Sequence, residues 1–292
     1  MLIARAIADG ADLESRLDRF EAALRKSDMA LAAAQMLDHC GHVLEMALPD
    51  GDIQVLAQAI DDAFDTPDRL IARDIVGLPH LFVSDMDSTM IGQECIDELA
   101  DFADVKPQVA AITERAMRGE LDFEAALRER VGLLEGLEET AITRCLSERI
   151  EPTEGAGIFV RTLKAKGARC VLVTGGFHHF ADPVARQLGF DRVVGNRLGT
   201  SGGKLTGLLA GPISHAQTKL DTFHEERAAL GDNALVMAAG DGANDVPMLE
   251  AADYSVAYRA KPVAQAAAGG ALHGDWRRML DLLGIPESDW VA

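Results

Sequence analysis

Asp85 and Asp87 stand one residue apart in the stretch VSDMDSTMIGQE, directly after the apolar run Leu81-Phe82-Val83, and Glu94 closes the same stretch. Carboxylates at the end of a buried strand lose solvent and need a compensating cation or ligand. A second acidic cluster, Asp241 and Asp245 in GDGAND, ends the apolar run LVMAAG. Asp85, Asp87 and Asp241 together make a set of hard oxygen ligands of the kind Mg²⁺ takes alongside water and phosphate. A third run, CVLVT, ends in Gly175-Gly176-Phe177. There Thr174 offers a hydroxyl, and the glycines let backbone N–H groups approach an oxyanion at the start of the next helix. Lys219, early on a later helical stretch, could reach the same anion as a point charge. The combination points to metal-assisted chemistry on a phosphate.

Each motif alone has a blander reading. DMDST is compatible with a solvated turn, Asp241-Gly242 with a hairpin turn, TGGF with a simple helix entry, and Lys219 with a surface charge. Their coincidence at the ends of three strands carries the weight, because ligands of open parallel sheets bind outside the carboxyl ends of the strands.

The elements that would position them read as follows. Residues 1–78 run LIARAIA, DLESRLDRFEAALRKS, ALAAAQML, HVLEMAL, IQVLAQAIDDAF and RLIARDIV, a βαββαβ order. That order is the split βαβ of an α+β ferredoxin-like sandwich, with Leu13, Leu17, Phe20 and Leu24 on one face of its first helix. After Gly77-Leu78-Pro79 the strand HLFVS leads into DMDST, and residues 93–150 read as wholly helical. Pro107 suits a first helical position and Asp122 an N-cap. From Glu154 helices and strands alternate through RVVGN, a Gly-rich hairpin at TSGGK, a helix from about Ala216 to Leu230, and YSVAY. The prediction is an α/β, doubly wound, Rossmann-like parallel sheet over residues 79–292, with a small helical cap inserted after its first strand. AQAAAGGA reads as a low-complexity stretch, and Trp276 and Trp290 as part of a tail packed on the sheet.

Composition narrows the partners. The 292-residue chain is 48% hydrophobic and carries a net charge of -19, which argues against nucleic acid and against an anionic membrane surface. No run reaches the roughly 18 apolar residues of a membrane span. The start, MLIARAIADGADLESR, lacks the pattern of a secretory signal, so a cytoplasmic chain is expected. Cys40, Cys95, Cys145 and Cys170 form no C-x-x-C pair and have no histidine at ligand spacing; reduced, mostly buried thiols are expected rather than a zinc site. A homodimer is compatible with the sequence.

DMDST, TGG, a downstream lysine and GDGAND, in this order on alternating strands, resemble the haloacid dehalogenase (HAD)-type phosphotransferases over residues 80–258. The D-x-D-S-T form and the segment GQECIDELADFA…ITERAMRGELDFEAALRERVGLL are more closely similar to the phosphoserine phosphatase branch. Thr174 stands where serine is common there, and keeps the hydroxyl. Residues 1–78 resemble the ACT-like domain attached to some of these enzymes. The resemblance implies Mg²⁺-dependent hydrolysis of phospho-L-serine, the last step of L-serine synthesis, through an aspartyl-phosphate. It makes Asp85 the nucleophile and Asp87 the general acid/base, a residue that suits a phosphatase better than a phosphorylated transport ATPase. Mg²⁺ would sit on the Asp85 carboxylate, the Asp87 backbone carbonyl and Asp241, with Asp245 in support and Asn244 between metal site and substrate. Ser88, Thr174, Gly175, Gly176 and Lys219 would hold phosphate. Glu94 would hold the ammonium and Arg130 the carboxylate, under apolar cover from Met117 and Phe123. By spacing alone Arg130 reads better as a solvated partner of Glu124 or Glu129, and only the resemblance reverses that preference. His178 and His179 read as helix-start residues. Two other readings stay open: a phosphatase for another small ester, such as phosphothreonine or phosphohomoserine, and a catalytically inactive amino-acid sensor.

Overall fold

The computed structural model describes residues 1–8, 12–65, 68–118, 120–231 and 233–292; the side chain of Met117, one of the residues expected to cover the substrate, lies outside the described residues. The first elements are β1 (Leu2–Ile7), α1 (Leu13–Lys26), β2 (Ala33–Met36), β3 (Val43–Leu48), α2 (Ile53–Phe64) and β4 (Arg69–Arg73). The apolar face of α1 packs Phe20 and Leu24 against Leu56, Ile60 and Phe64 of α2 and the sheet beneath. Asp52 starts α2 by accepting the N–H groups of Gln54 and Val55 at 2.8 and 3.0 Å. The strands lie in the order β2-β3-β1-β4, all antiparallel, which is the ferredoxin-like arrangement. β2 is shorter than its Ala-rich sequence predicts, because it is an exposed edge with little side chain to pack.

The core sheet is built on β5 (Leu81–Ser84), with β10 (Val236–Gly240) and β6 (Arg169–Phe177) parallel on either side. Outside these lie β7 (Arg192–Asn196), β11 (Tyr254–Tyr258) and β12 (Gly270–Leu272). Successive side chains alternate between two buried faces. Phe82, Cys170 and Leu172 pack on Phe159 of α7 (Ala156–Ala165), Phe180 of α8 (His178–Leu188) and Met279 of α12 (Arg277–Leu283). Leu81, Val83, Val171 and Val236 pack on Phe223 of α9 (Ala216–Leu230) and Met248 of α10 (Val246–Ala251). Burial on both faces explains why these strands read as continuous apolar runs. The order β12-β11-β10-β5-β6-β7 reverses direction between β5 and β10, so the crevice for a ligand opens there.

Residues 93–150 form the cap: α3 (Cys95–Phe102), α4 (Lys106–Met117), α5 (Phe123–Gly132) and α6 (Thr140–Arg149). Asp122 caps α5 through the N–H of Ala125 at 2.7 Å, as expected. The hairpin β8 (Leu198–Ser201) and β9 (Lys204–Leu209) does more than connect. It donates and accepts backbone hydrogen bonds with the α5–α6 loop, Gly136 N–H to the Leu205 carbonyl at 2.9 Å and Glu139 N–H to the Gly203 carbonyl at 2.8 Å.

Three features differ from the sequence reading. β6 runs on through Gly175 and Gly176 to Phe177, with a register shift against β7, so the glycines end a strand and α8 starts at His178. The Ala/Gly-rich stretch is ordered as α11 (Pro262–Ala267) and β12; at Gly270 a Cβ would lie 2.6 Å from the Ser255 carbonyl, so only glycine allows that strand to close up. Finally, β12 pairs antiparallel with β4 through Ala271 and Arg69, and one ten-stranded sheet runs through both parts of the chain. Trp276 is fully buried and stacks on Tyr258 with ring centroids 5.1 Å apart. Among the described residues no helix is long and apolar enough to cross a membrane.

Candidate active site

Asp85 follows β5 and Asp241 follows β10, one residue past each strand at the reversal point. The Asp85 N–H donates to the Ala239 carbonyl at 3.0 Å, carrying the ladder one step further and setting the two acids side by side. The chain then turns tightly. The Met86 carbonyl accepts N–H bonds from Thr89, Met90 and Ile91, and Ser88 takes the left-handed conformation, φ 54°. That turn aims Asp87 back over the strand ends, where its Oδ1 accepts the Cys95 N–H at 3.2 Å, at the start of α3. Its Oδ2 would lie 2.7 Å from a Cβ on Gly176, so glycine is what lets TGG pass beneath it.

Charge is densest around Lys219, which is completely buried one turn into α9. Its Nζ lies 2.7 Å from Asp85 Oδ2 and 2.6 Å from Asp245 Oδ1. Burial works against the Lys219 charge, and the two carboxylates outweigh it, holding the ammonium above an ordinary lysine. Asp245 has no oxygen to spare, since its Oδ2 accepts the N–H groups of Asp241 and Gly242, both at 3.1 Å. A Cβ on Gly240 would overlap that carboxylate. Burial pushes the Asp85 carboxyl up, Asp245 pushes the same way, and Lys219 pulls back. Asp241 is also raised, chiefly by burial, although Lys261 Nζ stands 3.1 Å from its Oδ2. Asp87 is pushed up to about 7, first by burial and then by Glu94.

Asp85, Asp241 and Asp245 present carboxylate oxygens within 4.8 Å of one another. Counting Asp87 and Glu94, five acids converge on Lys219, Lys261 and Arg130. An all-oxygen donor set with negative charge left over fits a hard divalent cation and fits no soft one. The site therefore suits a metal.

The TGG segment is braced by residues that the sequence reading did not single out. Thr174 Oγ1 accepts the Gly176 N–H at 2.8 Å. Asn196, the last residue of β7, donates from Nδ2 to the Gly175 carbonyl at 2.7 Å. Ser214 donates from Oγ to the Thr174 carbonyl at 2.9 Å and from its N–H to Asn196 Oδ1 at 2.8 Å. The available signal was the same one that marked the other motifs, a polar residue closing the apolar strand RVVGN. His215 caps α9 by accepting the Gln217 N–H at 3.2 Å, and so fixes the helix phase that turns Lys219 inward.

A cavity of about 800 Å³ lies between these strand ends and the cap. Asp85, Asp87, Thr174, Gly175, Gly176, Asp241 and Asn244 line its floor, and Glu94, Phe123 and Arg130 its cap side. Phe123 hangs over the floor, its ring 3.5 Å from where a Gly175 Cβ would sit. Glu124 pairs with Arg128 and Glu129 with Arg115, so neither takes Arg130, whose Nε donates to its own helix at the Ala126 carbonyl, 3.3 Å. Burial depresses the Arg130 guanidinium, while Asp97 and Glu94 favour its charge. Ser88 is not among the lining residues; its hydroxyl donates to Glu94 Oε1 at 2.8 Å. Lys219 and Asp245 also lie below the cavity wall, Lys219 touching it through Asp85 and Asp245 through the backbone N–H of Asp241. Lys261, which the motif reading passed over, is on the wall.

The haloacid dehalogenase-like hydrolase family matches residues 82–250, more than half of the chain. A phosphoserine phosphatase of Archaeoglobus fulgidus is 45% identical over 66% of this chain, which spans 56% of that relative's length. One from Lactococcus lactis is 42% identical over 70% of this chain and is itself 93% covered. Among solved structures, a HAD family hydrolase from Salmonella enterica serovar Typhi superposes with a TM-score of 0.82 at 26% identity, covering 97% of this chain and 98% of that one.

Proposed function

The chain belongs to the haloacid dehalogenase-like hydrolases, and from that premise we propose that it hydrolyses phospho-L-serine to L-serine and phosphate. The observation that carries the reading is one cavity wall holding an acid, Glu94, and a guanidinium, Arg130, opposite the Thr174-Gly175-Gly176 segment suited to phosphate. A zwitterionic amino acid bearing a phosphate is the ligand that uses all three. The relatives named phosphoserine phosphatase, matched over 66% and 70% of this chain, support it.

In this reading the substrate ammonium meets Glu94 and its carboxylate meets Arg130, while backbone N–H groups of the TGG segment and the Thr174 hydroxyl receive phosphate oxygens. Ser88, off the cavity wall, acts at the ammonium end instead, by fixing Glu94. Asp85 attacks phosphorus as the carboxylate, forming an aspartyl-phosphate as the ester bond breaks. Asp87, raised to about 7, carries the proton that the departing seryl oxygen takes, and then removes one from the water that attacks the aspartyl-phosphate. Lys219 favours the ionised form of Asp85 against the pull of burial and adds positive charge beneath the phosphate. Asp85, Asp241 and the Asp87 backbone carbonyl would hold Mg²⁺, with Asp245 ordering the loop; when bound, the ion supplies charge that offsets the repulsion between carboxylate and phosphate dianion. Asn244 lies on the wall beside Asp241 and faces the substrate. Residues 1–78 form an ACT-like domain in this reading, and the free thiols of all four cysteines suit a cytoplasmic setting.

Phosphate release from phospho-L-serine, measured with Mg²⁺, with EDTA and in Asp85→Asn, tests the reading. Turnover should need the metal and nearly vanish in the variant; undiminished hydrolysis by Asp85→Asn would refute the covalent route. Equal rates on esters lacking the amino-acid head would refute the substrate assignment.

A further inference from the structure

Far from the catalytic cavity, the turn between β2 and β3 carries Asp38-His39-Cys40-Gly41-His42, and the last α-helix, α12, brings Asp281 against it. His39 Nε2 lies 3.2 Å from the Asp281 carbonyl oxygen, and His42 Nε2 lies 3.1 Å from Asp281 Oδ2. One ligand atom each from His39, Cys40 and Asp281 fall within 4.8 Å of one another. We propose that His39, Cys40 and Asp281 bind a transition-metal dication of the Zn²⁺ class, with water completing the coordination.

The donor set separates this site from the catalytic one. Imidazole, thiolate and carboxylate together suit borderline-soft Zn²⁺ or Co²⁺ and discriminate against Mg²⁺, which takes oxygen. Ligand atoms around a tetrahedral zinc sit roughly 3.3–3.8 Å apart, so the three groups must draw in by about an ångström. The turn permits that. His39 is exposed, Cys40 is half-buried, and Gly41 sits at φ 68°, a conformation open to glycine without strain. Asp281 is the fixed member, buried and oriented by His42, whose other ring nitrogen meets the Cys40 carbonyl oxygen at 2.9 Å. Second-layer contacts of this kind hold a ligand carboxylate in place. On binding, the Cys40 thiol gives its proton to solvent and its sulfur to the metal. Spacing in the sequence argued against any zinc site, because the third ligand arrives 242 residues after His39. The bound ion would staple residues 1–78 to the C-terminal helix.

The test uses the full-length protein saturated with Mg²⁺. Co²⁺ titration should give a thiolate-to-cobalt charge-transfer absorption saturating at one equivalent. Zn²⁺, competed against a chromophoric chelator, should displace it. Cys95, Cys145 and Cys170 are completely buried, so the absorption reports Cys40. Cys40→Ser should abolish it with phosphatase activity unchanged, and His42→Ala should weaken binding by about 10- to 100-fold. His39→Gln, at an exposed position, should also abolish tight binding and serves if Cys40→Ser folds poorly. No absorption in the wild type, or one that survives in Cys40→Ser, overturns the proposal.

Discussion

The Lys219 ammonium lies 2.7 Å from the Asp85 carboxylate, sealed from solvent beneath the cavity floor that Asp85 itself lines. A buried pair of this kind is costly to break from one side, because the remaining charge has no water to turn to. Lys219→Met should therefore cost about 3–5 kcal/mol of stability as well as turnover, read from urea denaturation and phosphate release. Lys219→Arg should not rescue either, since the guanidinium fork does not fit a site shaped for a point charge between two carboxylates. Full activity in Lys219→Met would show that Asp85 needs no such partner.

Asp87→Asn keeps the shape of the side chain and removes its proton chemistry. Turnover of phospho-L-serine should fall by about 10²–10⁴-fold. With an aryl phosphate, whose leaving group needs no acid, the first step should survive and the second should not. Acid-quenched samples of the variant should then contain trapped phosphoenzyme; an unmodified protein under those conditions would remove Asp87 from the second step.

Arg130→Ala should act on one substrate group alone. Loss of a charge-assisted contact of about 1.5–3 kcal/mol corresponds to a KM for phospho-L-serine higher by roughly 10- to 150-fold. Phosphoethanolamine, which has the ammonium and no carboxylate, should be turned over by wild type and variant alike. An equal loss on both compounds would place Arg130 outside substrate recognition.

The pH dependence of folding should expose a pair remote from the site. Glu226 accepts hydrogen bonds from Arg169 and, at 2.7 Å, from Arg192; the Arg169 bond leads in holding its carboxyl below the ordinary value, and burial opposes it. With the folded value lowered, the unfolded chain binds more protons in acid. The contribution is thus complete above the unfolded value and is lost as pH falls through the folded one. Glu226→Gln should cost about 1–2 kcal/mol at neutral pH, less than for a fully buried pair because both guanidiniums are partly exposed. It should also flatten the stability curve below about pH 4.5. An unchanged acid limb in denaturant melts would contradict the assignment.

How much of this was legible in the chain follows from where each signal lies. Asp85, Thr174 and Asp241 could be found because each comes at the end of an apolar run in the sequence, and the topology then had to bring them to one crevice. Lys219 could be placed near them by order along the chain, but its complete burial could not, since a single lysine on a helix carries no sign of its depth. Asn196, Ser214 and Lys261 escaped notice because their work is done on the backbone or charge of another motif, and that pairing exists only after folding. β12 was hidden for a different reason. Its Ala/Gly composition matches a flexible stretch, and what makes it a strand is the close approach at Gly270 rather than any local preference.

β12 is three residues long, and beyond it the sheet continues only because β4 lies alongside. Arg69 Nε reaches the Gly269 carbonyl at 3.2 Å, and Gln54 Nε2 reaches that of Ala268 at 3.3 Å. A phosphatase core cut free at residue 79 would leave these acceptors and the open flank of β12 bare, an invitation for one molecule to adhere to the next. The N-terminal residues thus occupy the flank of the core sheet at β12, where a neighbouring molecule could otherwise add a strand.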